Sequence, residues 1–288
     1  MKTNFLLGFM AALALVLPVN LTAKSGSRVN LRPSKEIVTE RRTSAMNFHA
    51  MEVSRLVKLT VEDRTDNIIV VRANENLMPY IELSVSNGCL SATIDSNVNI
   101  SMSRFSECVV EVFIPNNGRI SSVEVYGAAG VNMIPRQQVA KFSAEVYGAS
   151  SFSGKVVAEQ CDLEVYGASH AKVDFEGGRF DSEVYGASTL DGDVTAVKSH
   201  VEVSGASSVT LNGSSTSAIV EVSGASGFKG FDFVTEVCSA EITGASNAKI
   251  NCTESLSATS SGVSSLTYTG ACRLSSVSTS GAGTIQKK

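Results

Sequence analysis

The chain has 288 residues, and its hydrophobic content of 43% is enough for a packed core and excludes disorder throughout. Charged residues make up only 18%, which argues against a fold of helices held by ion pairs. The formal net charge of -4 and the pI near 5.5 argue against nucleic-acid binding, which normally requires a concentrated basic surface.

Residues 1–23 have the pattern of a secretory signal peptide. Lys2 supplies a positive start, an apolar run follows at residues 5–17, and residues 21–23 resemble a small-residue cleavage site. The run is shorter than the roughly 20 apolar residues that a membrane-spanning helix needs. The sequence therefore predicts an exported protein with no transmembrane segment in the mature chain, located in the periplasm, on the outer surface or outside the cell.

Two further segments precede the main body of the chain. Residues 24–44 are polar and basic and contain Pro33, which predicts a mobile linker. Residues 45–118 contain several short apolar or alternating stretches, separated by turn signals such as Asn87-Gly88. This second segment is predicted to be β-rich, either as irregular opening coils of a repeat or as a small sheet that caps it.

From residue 119 to residue 288 the chain repeats itself about every 19 residues, and a fixed period of this kind is the signature of a repeat architecture. The motif Glu-Val-Tyr-Gly-Ala occurs four times, and looser copies follow it. Each copy carries one glycine of a nearly evenly spaced series: Gly127, Gly148, Gly167, Gly186, Gly205, Gly224, Gly244, Gly262 and Gly281.

Within each repeat, hydrophobicity alternates with a period of two. Cys161, Leu163 and Val165 precede Gly167 at alternate positions, and another apolar residue follows every glycine at the fourth position. Each repeat is therefore predicted to be a strand, a Gly-Ala-Ser turn and a second short strand. Because such a short unit cannot close its own core, neighbouring units must stack in register. The sequence predicts an all-β parallel solenoid; a β-sandwich is the alternative, but it would not need so regular a register.

These segments resemble a known family, the putative auto-transporter adhesins with a head GIN domain, which Bacteroidetes-type bacteria export. The resemblance rests on Phe-His-Ala-Met-Glu-Val at residues 48–53, on Ser-Asn-Gly-Cys-Leu at residues 86–90, and above all on the Gly-Ala-Ser coils after Ser122. It implies a right-handed single-stranded β-helix and a cell-surface or periplasmic location. The family supplies no catalytic residues to transfer.

The most conspicuous chemical feature of the repeat is a predicted row of glutamates. Its members occupy one position in successive repeats: Glu124, Glu145, Glu164, Glu183, Glu202, Glu221 and Glu241. Two charges at the roughly 4.8 Å spacing of adjacent coils repel by about 0.9 kcal/mol in water and by about 3.5 kcal/mol at an effective dielectric of 20. The row is therefore expected to face solvent, with cation or ligand binding as one alternative and glycoside cleavage by paired carboxylates as another.

A second row, of tyrosines, runs beside the glutamates and consists of Tyr126, Tyr147, Tyr166 and Tyr185. Stacked aromatic rings would stabilise neighbouring coils, and a flat aromatic stripe flanked by acids would also suit sugar rings or a partner surface. The row ends where Ser204, Ser223 and Thr243 replace tyrosine. The predicted ligand-binding residues are therefore these four tyrosines with Glu124, Glu145, Glu164 and Glu183.

The cysteines and histidines do not form a recognisable catalytic or metal-binding motif. None of the six cysteines shows the paired spacing of a zinc site, and buried thiols are expected for most of them. Cys252 and Cys272 are placed so that they could lie on adjacent coils, which leaves a disulfide between them open. No metal, cofactor or catalytic residue is predicted.

Taken together, the residues favour an exported, non-enzymatic β-helix that serves as a cell-surface adhesin. It would present the glutamate and tyrosine rows to a cell-envelope glycan or a surface protein. One alternative is a polysaccharide lyase or hydrolase, although such short and even coils leave no room for the long loops that wall an active-site cleft. A second alternative is a structural spacer of the cell envelope that binds no ligand.

Overall fold

The computed structural model describes residues 28–44, 47–100 and 107–288. The predicted signal peptide at residues 1–23 lies outside these ranges. Helix accounts for only 2% of the protein, and it includes a 3₁₀ turn at Met78–Tyr80. The strands form stacked parallel coils of about 19 residues, and about nine turns build a β-solenoid, as the sequence predicts.

The strands of the described residues are numbered in chain order. Their bounds are β1 Val29–Leu31, β2 Ile37–Thr43, β3 Ala50–Arg55, β4 Lys58–Glu62, β5 Ile68–Asn74, β6 Ile81–Ser86, β7 Cys89–Ile94, β8 Val98–Ile100, β9 Val110–Pro115, β10 Ser122–Gly127, β11 Gly130–Met133, β12 Gln137–Gln138, β13 Lys141–Gly148, β14 Ser151–Val165, β15 His170–Val184, β16 Thr189–Val203, β17 Ser208–Val222, β18 Gly227–Ile242, β19 Asn247–Ser260, β20 Ser265–Thr269, β21 Arg273–Thr279 and β22 Thr284–Lys287.

Successive long strands pair in parallel, residue by residue. Val165 of β14 lies opposite Val184 of β15, which lies opposite Val203 of β16. Equivalent positions of neighbouring coils are therefore hydrogen-bonded neighbours, and each side chain meets its counterpart from the next repeat. This pairing confirms the predicted in-register stacking and excludes the β-sandwich.

The repeat glycines form a single file because their turns stack closely. Gly148, Gly167 and Gly186 have φ values of +88°, +83° and +85°, a region that other residues rarely adopt. A Cβ atom at Gly167 would lie only 2.6 Å from the carbonyl oxygen of Gly148. The turns thus require glycine both for backbone conformation and for space.

The core is a continuous column of alternate side chains inside the coils. Phe142, Phe152, Phe175 and Phe180 are almost fully buried, and the rings of Phe142 and Phe152 are stacked with centroids 6.0 Å apart. Burying one such side chain stabilises the fold by about 1.5–3 kcal/mol. The inward files therefore hold the coils together, and the outward files are free for other roles.

The strands of the regular coils are longer than the sequence predicts. Two short strands per repeat were expected, whereas β14, β15, β16 and β17 each run for 15 residues from one turn to the next. The alternation of buried and exposed residues continues through most of each strand, so nothing in the pattern ends the pairing. The pairing of β14 with β15 is interrupted only at Glu159, and this short gap marks where two separate strands were expected to meet.

The described part of residues 45–118 combines both predicted arrangements. β3 and β4 pair in parallel with β10 and β11 and so add a coil to the solenoid. β7 and β9 stack in parallel on β3 and β4 in turn. In contrast, β5 is antiparallel to β9 and β6 is antiparallel to β7, which makes the far end of the stack a cap.

The prediction of a linker at residues 24–44 is wrong for the described residues 28–44. β1 pairs in parallel with β8, and β2 pairs in antiparallel fashion with β5 over seven residue pairs. Most side chains of β2 remain exposed, which explains why its composition suggested a linker. Backbone pairing on the edge of the cap, rather than burial, orders this segment.

Candidate functional site

One outward file of the solenoid is made of glutamates. The seven predicted members are all in register, in the order Glu124, Glu145, Glu164, Glu183, Glu202, Glu221 and Glu241. The file also includes Glu52 of β3, which pairs with Glu124, and it ends where Thr259 lies opposite Glu241. Glu52 was missed at the level of sequence, although Glu-Val-Ser at residues 52–54 matches the later copies.

The four tyrosines lie beside this file and stack as two pairs. The ring centroids of Tyr126 and Tyr147 are 5.3 Å apart with an angle of 8° between the planes. Those of Tyr166 and Tyr185 are 5.4 Å apart with an angle of 2°. The structure therefore brings all eight predicted ligand-binding residues onto one surface. We call this surface the Glu/Tyr face; it consists of Glu52, Glu124, Glu145, Glu164, Glu183, Tyr126, Tyr147, Tyr166 and Tyr185.

Tyrosine hydroxyls donate hydrogen bonds to the glutamates of this face. The Tyr166 hydroxyl shares its proton between Glu164 Oε2 at 3.0 Å and Glu183 Oε2 at 3.2 Å in a bifurcated hydrogen bond, so it links two coils. The Tyr126 hydroxyl donates to Glu52 Oε1. These bonds fix the orientation of the rings beside the glutamate file, and they provide hydrogen-bond donors to the carboxylate oxygens.

The carboxylates in turn raise the pKa of the tyrosines. Burial raises the pKa of Tyr166 and Tyr185 strongly, and nearby carboxylates add to the effect. For Tyr126 the hydrogen bond to Glu52 is the largest cause of the increase in pKa. The phenols therefore remain protonated near neutral pH and act as donors.

The glutamates repel one another only moderately. Glu124, Glu145 and Glu183 are exposed to solvent, and Glu164 is partly buried. The pKa of Glu145 is raised by burial and by the charges of Glu164 and Glu124. Across the residues described, no group of three or more His, Cys, Asp or Glu side chains is arranged to hold a metal ion.

Beyond the last tyrosine the acidic file borders a small open cavity. Its volume is about 140 Å³, and its lining residues are Glu202, Glu221, Val222, Ser223, Glu241 and Thr243. The cavity exists because small residues replace tyrosine in these coils. His200 approaches the file here, with Nε2 3.7 Å from Glu221 Oε1. The cavity is smaller than typical small-molecule sites.

The cysteines are not paired, and all six are free thiols. Cys161 and Cys238 are buried, as expected for residues that act as small hydrophobes. The Cys252 thiol lies within hydrogen-bond reach of two carbonyl oxygens, those of Glu236 at 3.3 Å and Ser255 at 3.2 Å, and its single proton can be donated to either. Cys252 also contributes to a raised pKa of Cys272, so these two residues are neighbours without being bridged.

The sequence matches the model of one known protein family. The family described as "Putative auto-transporter adhesin, head GIN domain" matches residues 47–193 and 170–272, which is well over half of the sequence. The chain belongs to this family. Family membership indicates an adhesin-type, exported or surface protein and favours a non-enzymatic role. Comparison with curated proteins gave no match.

Three solved structures of similar fold come from Parabacteroides species. A putative adhesin from Parabacteroides distasonis has a TM-score of 0.68 at 17% identity, covering 90% of this chain and 100% of that one. A putative adhesin from Parabacteroides merdae has a TM-score of 0.62 at 16% identity, with 90% and 99% covered. A putative lipid binding protein from Parabacteroides distasonis has a TM-score of 0.60 at 15% identity, with 90% and 100% covered. At these identities the likeness concerns the fold alone.

Within residues 28–44, 47–100 and 107–288, no helix has the length and apolar character needed to cross a bilayer.

Proposed function

We propose that this adhesin-family protein is exported, has no enzymatic activity, and binds a cell-envelope glycan or a surface protein through the Glu/Tyr face. The observation that carries the proposal is the register of this face: two stacked tyrosine pairs stand beside an unbroken file of glutamates. A rigid sheet repeats these groups at about 4.8 Å per coil. Such a preorganised surface loses little conformational entropy on binding, which favours recognition of an extended ligand.

The chemistry of the face restricts its ligand. The hydroxyl oxygens of Tyr126 and Tyr166, whose protons are donated to glutamates, can accept hydrogen bonds. The carboxylates can accept them from sugar hydroxyls or from lysine and arginine side chains. The aromatic ring edges add apolar contact area. The row of negative charge repels anionic polymers. The ligand of this face is therefore a neutral glycan or a protein surface with basic residues.

The proposal is tested by screening the purified protein against neutral glycans and envelope proteins. We expect Tyr147→Ala combined with Tyr166→Ala to weaken the detected interaction about tenfold or more, because both ring pairs are broken. Tyr166→Phe should weaken it less, because the ring remains and only the hydroxyl is lost.

The control is Glu241→Gln, which changes the same acidic file in a coil that has no tyrosine. We expect this variant to bind as the unchanged protein does. Binding that is indifferent to both tyrosine substitutions would remove the Glu/Tyr face as the site. Failure to bind any cell-envelope fraction would favour a structural spacer instead.

An enzymatic function makes a different prediction. Neighbouring glutamates about 4.8 Å apart resemble in spacing the carboxylate pair of retaining glycosidases. However, the coils that the structure describes carry no long inserted loops to wall a cleft, and the cavity in the acidic file is only about 140 Å³. Turnover of a polysaccharide that is abolished by Glu164→Gln would overturn the non-enzymatic proposal.

Export is tested separately by cell fractionation combined with proteolysis of intact cells. We expect the protein outside the cytoplasm, in the periplasm or on the outer surface. Recovery in the cytoplasmic fraction alone would contradict an adhesive role.

A further inference from the structure

Another surface depression lies on the other side of the glycine turns from the Glu/Tyr face. It is an open groove of about 340 Å³ that crosses β4, β11, β14 and β15. This volume lies within the range of about 300–1,000 Å³ that is usual for small-molecule sites. The groove is therefore large enough for a short ligand, in contrast to the smaller cavity of the acidic file.

Two outward files of side chains line the groove. The first file contains Lys58, Gly130, Ser151 and His170 in successive coils. The second contains Thr60, Asn132, Ser153 and Lys172. Apart from Gly130, each of these residues offers a polar or charged group, so the lining can hydrogen-bond a ligand rich in hydroxyl groups.

Small residues in the middle of the two files give the groove its depth. Gly130 carries no side chain between Lys58 and Ser151; it is buried, and Ser151 Oγ lies over it, 2.8 Å from where a Cβ atom would be. In the second file the Ser153 hydroxyl donates to Asn132 Oδ1 at 2.7 Å, which holds both side chains close to the sheet. The long side chains stand at the ends, and the middle is low and polar.

The two ends of the groove carry positive charge. Lys58 and His170 are separated by three coil steps, or about 14 Å, and Lys172 lies on the same coil as His170. Both lysines are exposed, and within the described part of the chain neither forms an ion pair.

The nearest carboxylates in register do not occupy these lysines. Glu111 lies opposite Lys58, but its carboxylate binds Arg72 Nη1 at 2.6 Å. Asp191 lies opposite Lys172 on the coil beyond the groove, and it does not line the groove. Asp174, two residues along β15, is the other carboxylate beside Lys172. Lys58 and Lys172 are thus exposed cations that form no ion pair within the described ranges, in a protein with a net charge of -4.

We propose that this groove binds a short oligosaccharide that carries carboxylate groups. Lys58 and Lys172 contact two carboxylates of the ligand, one at each end, and Ser151, Ser153 and Asn132 hydrogen-bond hydroxyls between them. The charge of the groove is opposite to that of the Glu/Tyr face, so the two surfaces select different ligands. This site does not depend on the function proposed for the Glu/Tyr face.

Isothermal titration calorimetry on the full chain tests the proposal with a uronic-acid tetrasaccharide and its carboxyl-reduced neutral counterpart. We expect the acidic tetrasaccharide to bind and the neutral one not to bind. Lys58→Gln combined with Lys172→Gln should weaken binding about tenfold or more, since two charged contacts are lost. Added NaCl should also weaken binding to the unchanged protein, because salt screens exposed charges.

Lys229→Gln is the matched control. Lys229 occupies the second file three coils beyond Lys172, so the variant loses one positive charge and leaves the groove intact. We expect it to bind as the unchanged protein does, and we expect the same of the double variant Tyr147→Ala and Tyr166→Ala. Absence of binding, equal binding of the neutral sugar, or an equal loss in Lys229→Gln would overturn the proposal. Tighter binding of a sulfated tetrasaccharide would overturn the assignment to carboxylates.

Discussion

Gly167 illustrates how one residue controls the spacing of two coils. Its φ is +83°, and an added Cβ would lie 2.6 Å from a backbone oxygen of the coil below, which cannot move aside as a side chain can. We expect Gly167→Ala to lower the free energy of unfolding by more than about 2 kcal/mol, from strain and overlap together. Urea denaturation followed by circular dichroism measures this change.

Gly227 provides the control for that substitution. It lies in an outward position of β18, and a Cβ there would have nothing within 4 Å. Gly227→Ala should therefore leave the stability unchanged or raise it slightly, because alanine restricts the unfolded chain. Equal losses in both variants would mean that glycine is not required by the stacked turns.

Glu145 makes the stability of the protein depend on pH. Its pKa is raised above the ordinary value of 4.5 by burial and by two neighbouring carboxylates. A carboxyl group whose pKa is raised in the folded state contributes stability below pH 4.5, and this contribution is lost as the pH rises through the folded-state pKa. At pH 7 the ionised Glu145 therefore destabilises the fold.

We expect Glu145→Gln to be more stable than the unchanged protein at pH 7. The gain should stay below about 1 kcal/mol, because the carboxylate is exposed and screened by solvent. It should shrink below pH 4.5, where the glutamate is neutral in both folded and unfolded chains. Thermal unfolding at several pH values measures the difference, and a gain that is the same at all pH values would contradict the electrostatic cause.

At the scale of the strands, the reactivity of the cysteines measures how well the coils exclude solvent from the core. Cys161 of β14 and Cys238 of β18 point into the core; burial raises the pKa of Cys161 strongly and that of Cys238 to about 12. Because the thiolate is the reactive form, both thiols should resist alkylation at pH 8. Cys89, Cys108 and Cys272 are only partly buried.

Alkylation with iodoacetamide followed by mass spectrometry tests this expectation. In the native protein, label should be confined to the partly buried cysteines, and denaturant should expose all six. Label on Cys161 under native conditions would show that the coils open. A failure to label both Cys252 and Cys272 after denaturation without reductant would show that they are bridged.

In the coil formed by β3 and β4, the turn contains an arginine in place of the repeat glycine. Arg55 occupies the position that glycine holds in later coils, with a φ of +64°. Its guanidinium group donates to the carbonyl oxygens of Asp95 at 2.9 Å and Val98 at 2.6 Å. These bonds satisfy backbone acceptors just before β8 and at its first residue, and they compensate for the strained turn.

At the scale of the whole molecule, the regular coils could be predicted because their information is local. The spacing of Gly148, Gly167 and Gly186 gives the register directly, and the alternation around Val165 gives the inward face. Once the register was known, the Glu and Tyr files followed. What these files bind could not be predicted from the pattern, because the same side chains serve a solvated face and a binding face equally well.

The N-terminal third could not be predicted in the same way. Glu52 pairs with Glu124, but most of the cap lies between them in the chain, so no constant period connects the two residues. The antiparallel pairing of β2 with β5 depends on the free edge that the cap presents, and exposed strands carry little hydrophobic signal. The groove between Lys58 and Lys172 was missed for the same reason, because its two ends belong to segments far apart in sequence.

The parallel register also determines how the protein responds to force. Backbone hydrogen bonds between β14, β15 and β16 all point along the stacking direction. Tension applied along that direction peels off one coil at a time and breaks few bonds at once, whereas tension across it shears a whole 15-residue ladder together. The solenoid therefore withstands a load best when the load is applied sideways, at right angles to the direction in which the coils stack.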